Sequence, residues 1–464
     1  MSASSILDDV LATVGAAPAG GAVTLRGADP VFPTPPRVGE LGAAAIAAAA
    51  LQAARLLEQR TGQAQHVTVD ADAAAAAMRS WTYLADVAAP PRAPSGGQQF
   101  FLTEDDRWIF LHRRAARHAA RQERVLGCGP ADAEVAGAVR RWKGAGLEEA
   151  IVAADACAAL VRRPDEWAEL AQAAAVAELP LLEVTKIGDS DPEPLAVPPE
   201  GNRNRPLGGL RVLDVTHVLA GPTCARTLAE HGADVLRIGR SAAGDANPMQ
   251  RDTGHGKRSA VLDLKHAAGA AVLRALAGGA DVFSQGYRPG ALAALGFSPR
   301  DVAELRPGIV YVSMTAFGRV GPWRDRRGYD SVVQSASGFC AEVAVDGQPR
   351  FLPVSALDYV TGYLAAFGVL VALGRRAAEG GSYHVQLSLA QTGRYLAGLP
   401  RATPAEQAAC APELPADRLA ELLTETQTPF GRLRHLGPTA IMSGTPPRWD
   451  RPTVPMNHDA PAWD

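Results

Sequence analysis

Between residues 206 and 340, short apolar runs alternate with stretches of about a dozen residues of helical character, and few folds accept that rhythm. "RVLDVTHV" (211–218) precedes "AGPTCARTLAEHG" (220–232), a helix closed by Gly232. "ADVLRIG" (233–239), "RSAVLDL" (258–264), a helix from Lys265 to Ala277, "ADVFSQ" (280–285) and "GIVYVSMTAFG" (308–318) follow. Near-continuously apolar strands joined by helices predict a parallel sheet covered on both faces. In such open sheets a ligand sits beyond the carboxyl ends of the strands.

A second pattern bears on function. Residues 31–78 shadow residues 350–396. Each segment has an aromatic–proline entry, an Ala/Leu helix ending in Arg and a Gly-containing turn. Each then runs into a strand centred on His-Val (His66-Val67, His384-Val385) and a second helix. The distance between copies predicts two related units rather than a stacked solenoid. At the head of the late helix stands Asp358, where the early copy has Arg37 or Val38. A lone acid at the mouth of an apolar run is most simply a helix cap, but its loss from the early copy marks it for chemistry.

The chain has 464 residues, enough for two or three domains, and its net charge of −3 includes no basic block. That excludes a nucleic-acid binder relying on phosphate neutralisation. Five scattered cysteines without a CxxC pair predict reduced thiols, and singly spread histidines predict no metal site. "MSASSILDDVLATVG" lacks a cationic leader, and "GAAAIAAAALQAARLL" (42–57) reads as too short and Ala-rich to span a bilayer. The expectation is a soluble, cytoplasmic protein without membrane partners.

Elsewhere, 98–114 reads as a hairpin and 147–188 as helices followed by a strand, while 188–209 is the clearest linker. The tail from 428 is rich in proline, which predicts an extended wrap without regular structure.

"LRVLDVTHVLAGPTCARTLAEHGADVLRIGR", "GKRSAVLDLK", "ADVFSQGYRPGALAALGF", "PGIVYVSMTAFGRVGPWRDRRGYDSVVQSASGF" and "SALDYVTGYLAAFGVLVAL" resemble, in order and spacing, the class III CoA-transferases (the CaiB/BaiF group). The match covers 206–395 closely and residues 98–190 and the tail more loosely. Here a helix-plus-small-domain piece precedes the sheet, as if two family copies had each lost a part and fused. The resemblance implies an α/β protein with a Rossmann-like parallel-sheet large domain, a small α+β domain and a partial duplicated unit at the amino terminus. The corresponding boundaries are 1–95 for the partial repeat, 96–190 for the small domain, 191–208 for the linker, 209–395 for the catalytic domain and 396–464 for the wrap.

The resemblance further implies that Asp358 is a covalent nucleophile. Acyl-CoA and coenzyme A would be substrates rather than tightly bound cofactors, and the partners would be an acyl-CoA donor and a carboxylic acid acceptor. The family's interlocked assembly implies a homodimer. A carboxylate suits the task, because it attacks a thioester and then carries CoA itself with little net energy change. With an ordinary pKa of about 4 it is ionised without a general base. Arg240 matches a family position that contacts the nucleotide, and Val218 and Ala220 match the turn whose backbone lies over the active site; "GKR" and "GYRPG" supply Lys257, Arg258, Tyr287 and Arg288 as further candidates to bind CoA, although an arginine taken alone is usually a solvated surface charge. Leu219 replaces a glutamine that touches the reacting group in formyl-CoA transferases, so oxalate and formate are not expected. Gly286 and Ala294 also depart from the pattern, and no glycine-rich lid is present. Tyr329, before Asp330, replaces the histidine of the related acyl-CoA racemases and is a poor base at neutral pH. Transfer is favoured over racemisation, with a non-catalytic CoA-binding subunit as the other alternative.

Overall fold

The computed structural model describes residues 2–88, 99–197, 204–240 and 247–463. Part of the linker (198–203), residues 96–98 at the start of the small segment and residues 241–246 lie outside the described residues.

Seven strands form the central sheet: β1 (Glu183–Gly188), β2 (Arg211–Asp214), β3 (Asp234–Gly239), β4 (Lys257–Val261), β5 (Val282–Gln285), β6 (Val310–Thr315) and β7 (Ser382–Ser388). Their order is β4-β3-β2-β5-β6-β7-β1, and only β1 runs antiparallel to its neighbour. The six parallel strands therefore have the 3-2-1-4-5-6 order of a doubly wound sheet, whose chain direction switches between β2 and β5. The expected strands lie where the apolar runs placed them. β2 ends at Asp214, however, and Val215–Val218 belong to the turn that leaves the sheet.

Two 24-residue helices cover one face, an early one (Val38–Thr61) and a late one (Ala356–Glu379), and they pack along each other. Val282, Val310 and Val312 join these helices in one apolar core, whereas Phe283, Tyr311, Leu213 and Leu236 point into a second core on the opposite face. The alternation follows from the two-residue strand period. Both helices are long and apolar enough to cross a membrane by composition, but they are the buried spine of the fold. The early helix is longer than the 16-residue run read from its alanines, because Val38–Leu41 extend it at one end and Glu58–Thr61 at the other.

Small residues let these elements approach closely. A Cβ on Gly362 would lie 2.5 Å from the Ala220 carbonyl oxygen and 2.7 Å from Thr223 Cβ, and one on Gly368 would lie 2.7 Å from a Val385 methyl. The late helix is thus pinned against the helix Ala220–Glu230 on one side and β7 on the other.

Residues 99–160 contribute a three-stranded antiparallel sheet (Phe100–Leu102, Trp108–Leu111, Ala158–Leu160) and three helices, Ala116–Leu126, Asp132–Val139 and Gly144–Ala153. Phe101, Ile109, Leu126 and Leu147 give this unit its own core. It docks on the rest of the molecule through the Arg162 N–H, which donates to the Ser335 carbonyl at 3.1 Å, an Arg326–Glu149 ion pair and an edge-on contact of Phe110 with Phe351. Beyond it, β1 crosses over to edge the central sheet.

The tail is more regular than its prolines suggested. Leu423–Thr428 and Gly431–Leu436 form a hairpin, and Ala440–Met442 pairs with Val67–Asp70, which itself pairs with Val23–Arg26. Pro429 sits in the hairpin turn, where its missing N–H matters little, and Gly431 takes the positive φ of 107° that the reversal needs. A buried chain of polar groups also ties the early segment to the sheet domain: Ser80 Oγ bonds Asp252 at 2.6 Å and Tyr359 Oη at 2.9 Å, and Arg226 pairs with Asp252 at 2.8 Å.

The close approach at Gly362 is testable. Alanine is the better helix former by about 1 kcal/mol, yet Gly362→Ala is expected to lower stability by about 1–3 kcal/mol, because its methyl meets backbone. A denaturant midpoint at or above that of the unmodified protein would contradict the packing described here.

Candidate active site

The crevice at the switch point is built from three segments. The turn after β2 supplies His217, Val218 and Ala220, and the turn after β5 supplies Tyr287 and Arg288. Arg240 follows the end of β3 and is exposed. Val218 has φ = +76°. A β-branched residue is a true outlier in that region and carries strain of about 1–3 kcal/mol. The turn is braced from beneath: Lys257 Nζ lies 2.8 Å from Asp214 Oδ2 and 2.8 Å from the Pro222 carbonyl, while Asp214 Oδ1 accepts the Thr216 N–H at 3.0 Å.

This bracing corrects two sequence expectations. Lys257, read as a CoA contact, is fully buried under the turn in an ion pair. Arg258, read in the same way, points to the opposite side, where it pairs with Asp234 at 2.7 Å and bonds the Ala462 carbonyl. Both side chains of the "GKR" sequence hold structure together, because strand alternation sends one beneath the sheet's switch-point turn and the other toward the tail. Arg240 lies close enough to Tyr287 for its charge to act on the phenol, and Arg288 pairs with Asp155 at 3.1 Å.

Asp358 enters the same region from the late helix, which runs back from the carboxyl ends of the strands to start β7. It lies one turn before Gly362, hence on the face that meets Ala220. Its relative exposure is 7%, and no hydrogen bond to its carboxylate occurs among the described residues. Asp358 is not the helix cap: Ser355 occupies that position, with no side-chain capping bond. The orphan N–H groups of the first turn are satisfied by Asp330, whose Oδ2 accepts from Asp358 N at 3.0 Å and which also receives the Leu357 N–H. Gln334 fixes Asp330 by donating its side-chain amide to Oδ1 while accepting the Leu352 N–H at 2.9 Å.

Two carboxyl groups therefore share a buried site with different support. Burial pushes Asp358 well above the usual carboxylate range, and the neighbouring Asp330 charge pushes it further. Burial also raises Asp330, but the N–H of Asp358, the Gln334 amide and the N–H of Leu357 pull it back. The expectation of an Asp358 ionised with an ordinary pKa is thus corrected: the residue pays for poor solvation. The same poor solvation makes its carboxylate, once formed, a stronger nucleophile.

Sequence reasoning missed the wall opposite. His112, Arg117 and His118 come from the small unit and surround Tyr329. The rings of His112 and Tyr329 stack at 4.2 Å, and His118 Nε2 lies 3.4 Å from the Tyr329 hydroxyl. Burial lowers both imidazoles to about 4, leaving them neutral. Asp155, at φ = +57°, holds Arg121, Arg288 and Arg327 together. His217 keeps accessible surface but is walled in by protein; this loss of hydration, ahead of the Arg117 charge, lowers its pKa. "LHRRAARHAARQ" carried a signal in its density of Arg and His, but only tertiary contact reveals which side chains face the crevice. A separate cavity of about 180 Å³ lies on the sheet face away from the long helices, lined by Gln285, Ser313, His384 and Gln386. Asp358 is not part of it; it shares Tyr287 and Arg288 with the crevice.

A doubly wound sheet with a strained switch-point turn and a poorly solvated carboxyl at the head of a buried helix defines a class of α/β proteins. The sequence profile of CoA-transferase family III matches residues 12–193 and 207–409, and the chain belongs to that family. It is 34% identical over 207 residues to the succinate–glutarate CoA-transferase of Agrobacterium fabrum, covering 40% of this chain and 52% of that one. It is 34% identical over 184 residues to the human succinyl-CoA:glutarate CoA-transferase, covering 37% and 42%. The chain thus spans about half the length of the curated relatives it matches. A solved CaiB/BaiF family protein from Brucella suis aligns over 42% of this chain and 58% of its own, at 28% identity and a TM-score of 0.39.

The electrostatics of Asp358 set a stability expectation. A carboxyl raised in the folded state above its unfolded value destabilises the fold once pH exceeds the unfolded pKa, and the penalty grows until pH passes the folded pKa. Asp358→Asn should therefore raise stability by about 1 kcal/mol or more at pH 8 and have little effect near pH 4, as read by thermal melts across that range. Equal melting shifts at both pH values would mean that the carboxyl is not held high.

Proposed function

We propose that the protein moves CoA from an acyl-CoA thioester to a carboxylic acid, with Asp358 as the covalent nucleophile. The observation that carries this reading is the position of Asp358: poorly solvated, without a hydrogen-bond partner for its carboxylate among the described residues, and one helical turn before the close approach of Gly362 to Ala220. Family membership and the names of its relatives support CoA transfer as the reaction.

The Asp358 carboxylate attacks the thioester carbonyl and expels CoA thiolate, leaving an acyl–aspartyl anhydride. The thiolate attacks the aspartyl carbonyl, releases the first acid as carboxylate and leaves an aspartyl–CoA thioester. The acceptor carboxylate and then the thiolate repeat these two attacks in reverse order, regenerating Asp358. Every step exchanges one acyl–oxygen or acyl–sulfur bond for another, so no oxidant or hydrolysis is needed. Backbone N–H groups of the Val218–Ala220 turn stabilise the developing oxyanion. Arg240 and Arg288 attract the CoA phosphates, and Tyr287 packs against the nucleotide end. Asp330 positions the nucleophile by holding the head of its helix.

The early helix, strand and short helix (Val38–Thr61, Val67–Asp70, Ala71–Ala77) follow the order of the late ones (Ala356–Glu379, Ser382–Ser388, Leu389–Gly398). We propose that the early set is a duplicate that lost its carboxylate and now serves as a packing partner for the late helix. The homodimer implied by the family resemblance and the cytoplasmic location expected from the cysteine pattern and the amino-terminal composition are retained as proposals.

A racemase reading draws on one observation: His118, neutral and 3.4 Å from the Tyr329 hydroxyl, gives proton transfer a base that the sequence at position 329 lacks. Deuterium entering the α-carbon from solvent without any acceptor acid would select it over transfer.

Two measurements test the transfer reading. Mass spectrometry of the protein mixed with acyl-CoAs should find CoA attached at Asp358 and none on Asp358→Asn; an adduct that survives this substitution refutes the assignment. Because only the carboxylate attacks, kcat/KM should fall as pH falls through a pKa above the ordinary carboxylate range. Asp330→Asn removes the neighbouring charge and should move that limb to lower pH.

A further inference from the structure

The central sheet carries a row of polar side chains where a covered face is normally apolar. On the face away from the long helices, Phe283 and Tyr311 enter the second core. Two residues further along the same strands stand Gln285 and Ser313, in register with Gln386 on β7 and Glu183 on β1. Side chains two apart share a face, so one step toward the carboxyl ends of β5 and β6 replaces aromatic packing by polar groups on four adjacent strands. All four line the cavity of about 180 Å³, together with Leu292, Pro289 and His384.

Polar groups inside a fold usually satisfy one another, and part of this row does. Gln285 donates to Ser313 Oγ at 3.0 Å and accepts the Tyr287 N–H at 2.9 Å, and Ser313 Oγ bonds His384 Nε2 at 2.9 Å. Gln386 is different. Its side-chain amide has no hydrogen-bond partner among the described residues, and neither has His384 Nδ1. Burial lowers His384 to about 4, so its ring is neutral. The charged side chains of the lining are paired, Glu183 with Arg319 at 3.1 Å and Arg288 with Asp155 at 3.1 Å. The groups left to serve a ligand are therefore neutral donors and acceptors rather than ions.

Size narrows the class of ligand. At ~15 Å³ for each, the space takes roughly ten non-hydrogen atoms, the size of a purine base. The primary amide of a glutamine pairs with adenine through two parallel hydrogen bonds, accepting from the exocyclic amine and donating to the ring nitrogen beside it. The cavity also stands apart from the nucleophile: Asp358, Asp330, Val218, Ala220 and Arg240 do not line it, and its floor is the sheet face opposite the late helix.

We propose that this cavity is a second ligand site, separate from the transfer site, which binds the adenine base of a neutral nucleoside through the Gln386 amide with His384 beside it. The inference does not depend on Asp358 as nucleophile.

Adenosine is the probe. Titrated into the full chain and followed by calorimetry, it should bind once per chain with a Kd of ~0.1 mM. Saturating coenzyme A should leave that binding in place, and Asp358→Asn should keep the Kd within about twofold. Gln386→Met keeps the length of the side chain but removes the amide, and should weaken adenosine ~10-fold, the loss expected for one or two neutral hydrogen bonds. Inosine carries a carbonyl where adenosine carries its amine, so it cannot form both bonds and should bind the unmodified protein weaker by a similar factor. The inosine comparison needs no variant and decides the matter even if Gln386→Met does not fold, which a thermal melt reports. No adenosine binding at millimolar concentration, equal affinity for inosine, or an unchanged Kd in folded Gln386→Met would each overturn the proposal. Displacement of adenosine by coenzyme A would also overturn it, because the cavity would then be the nucleotide end of the transfer site.

Discussion

The head of the late helix depends on a division of labour between two buried carboxyl groups. A helix amino terminus leaves backbone N–H groups without partners, and burying them costs more than leaving them in water. Asp330 absorbs that demand, taking the N–H groups of Leu357 and Asp358 while Gln334 holds its other oxygen. Because a neighbour meets the structural need, Asp358 is free of it. Its carboxyl is buried without a hydrogen-bond partner among the described residues, which a protein tolerates only where the surrounding structure is over-determined. The supports are visible: Gly362 locked on the Ala220 carbonyl, Lys257 bracing the turn from below, and the Ser80–Asp252–Arg226 chain behind Tyr359.

That arrangement explains how far the sequence could be read. The parallel sheet was legible because its strands are buried on both faces and leave continuous apolar runs at regular intervals. Asp358 was legible as an anomaly, since one charge in an apolar helix with a charge-free duplicate invites a question. Its environment was not. Whether it capped its helix depended on Asp330, 28 residues earlier, and the shift of its titration depended on burial that no local pattern encodes.

The cations show the same limit. Lys257 and Arg258 sit in a sequence context indistinguishable from a phosphate contact, yet strand alternation and tail packing commit both to internal pairs. Arg117, one of five arginines from 113 to 124, has no local pattern that sets it apart; only the docking of the small unit brings it near Tyr329. The hairpin in the tail was hidden because its proline, a breaker within strands, occupies the turn between them.

The pairing of Ala440–Met442 with Val67–Asp70 has a kinetic meaning. The small sheet that seats the early helix's outgoing strand lacks an edge until residues near 441 have been synthesised, so the early segment waits through most of translation with its alanine-rich helix lacking the late partner it is shaped to meet. Contacts this distant in sequence slow folding and lengthen exposure of apolar surface. In a cell, yield of this protein should therefore respond to chaperone supply more strongly than the stability of its finished form suggests.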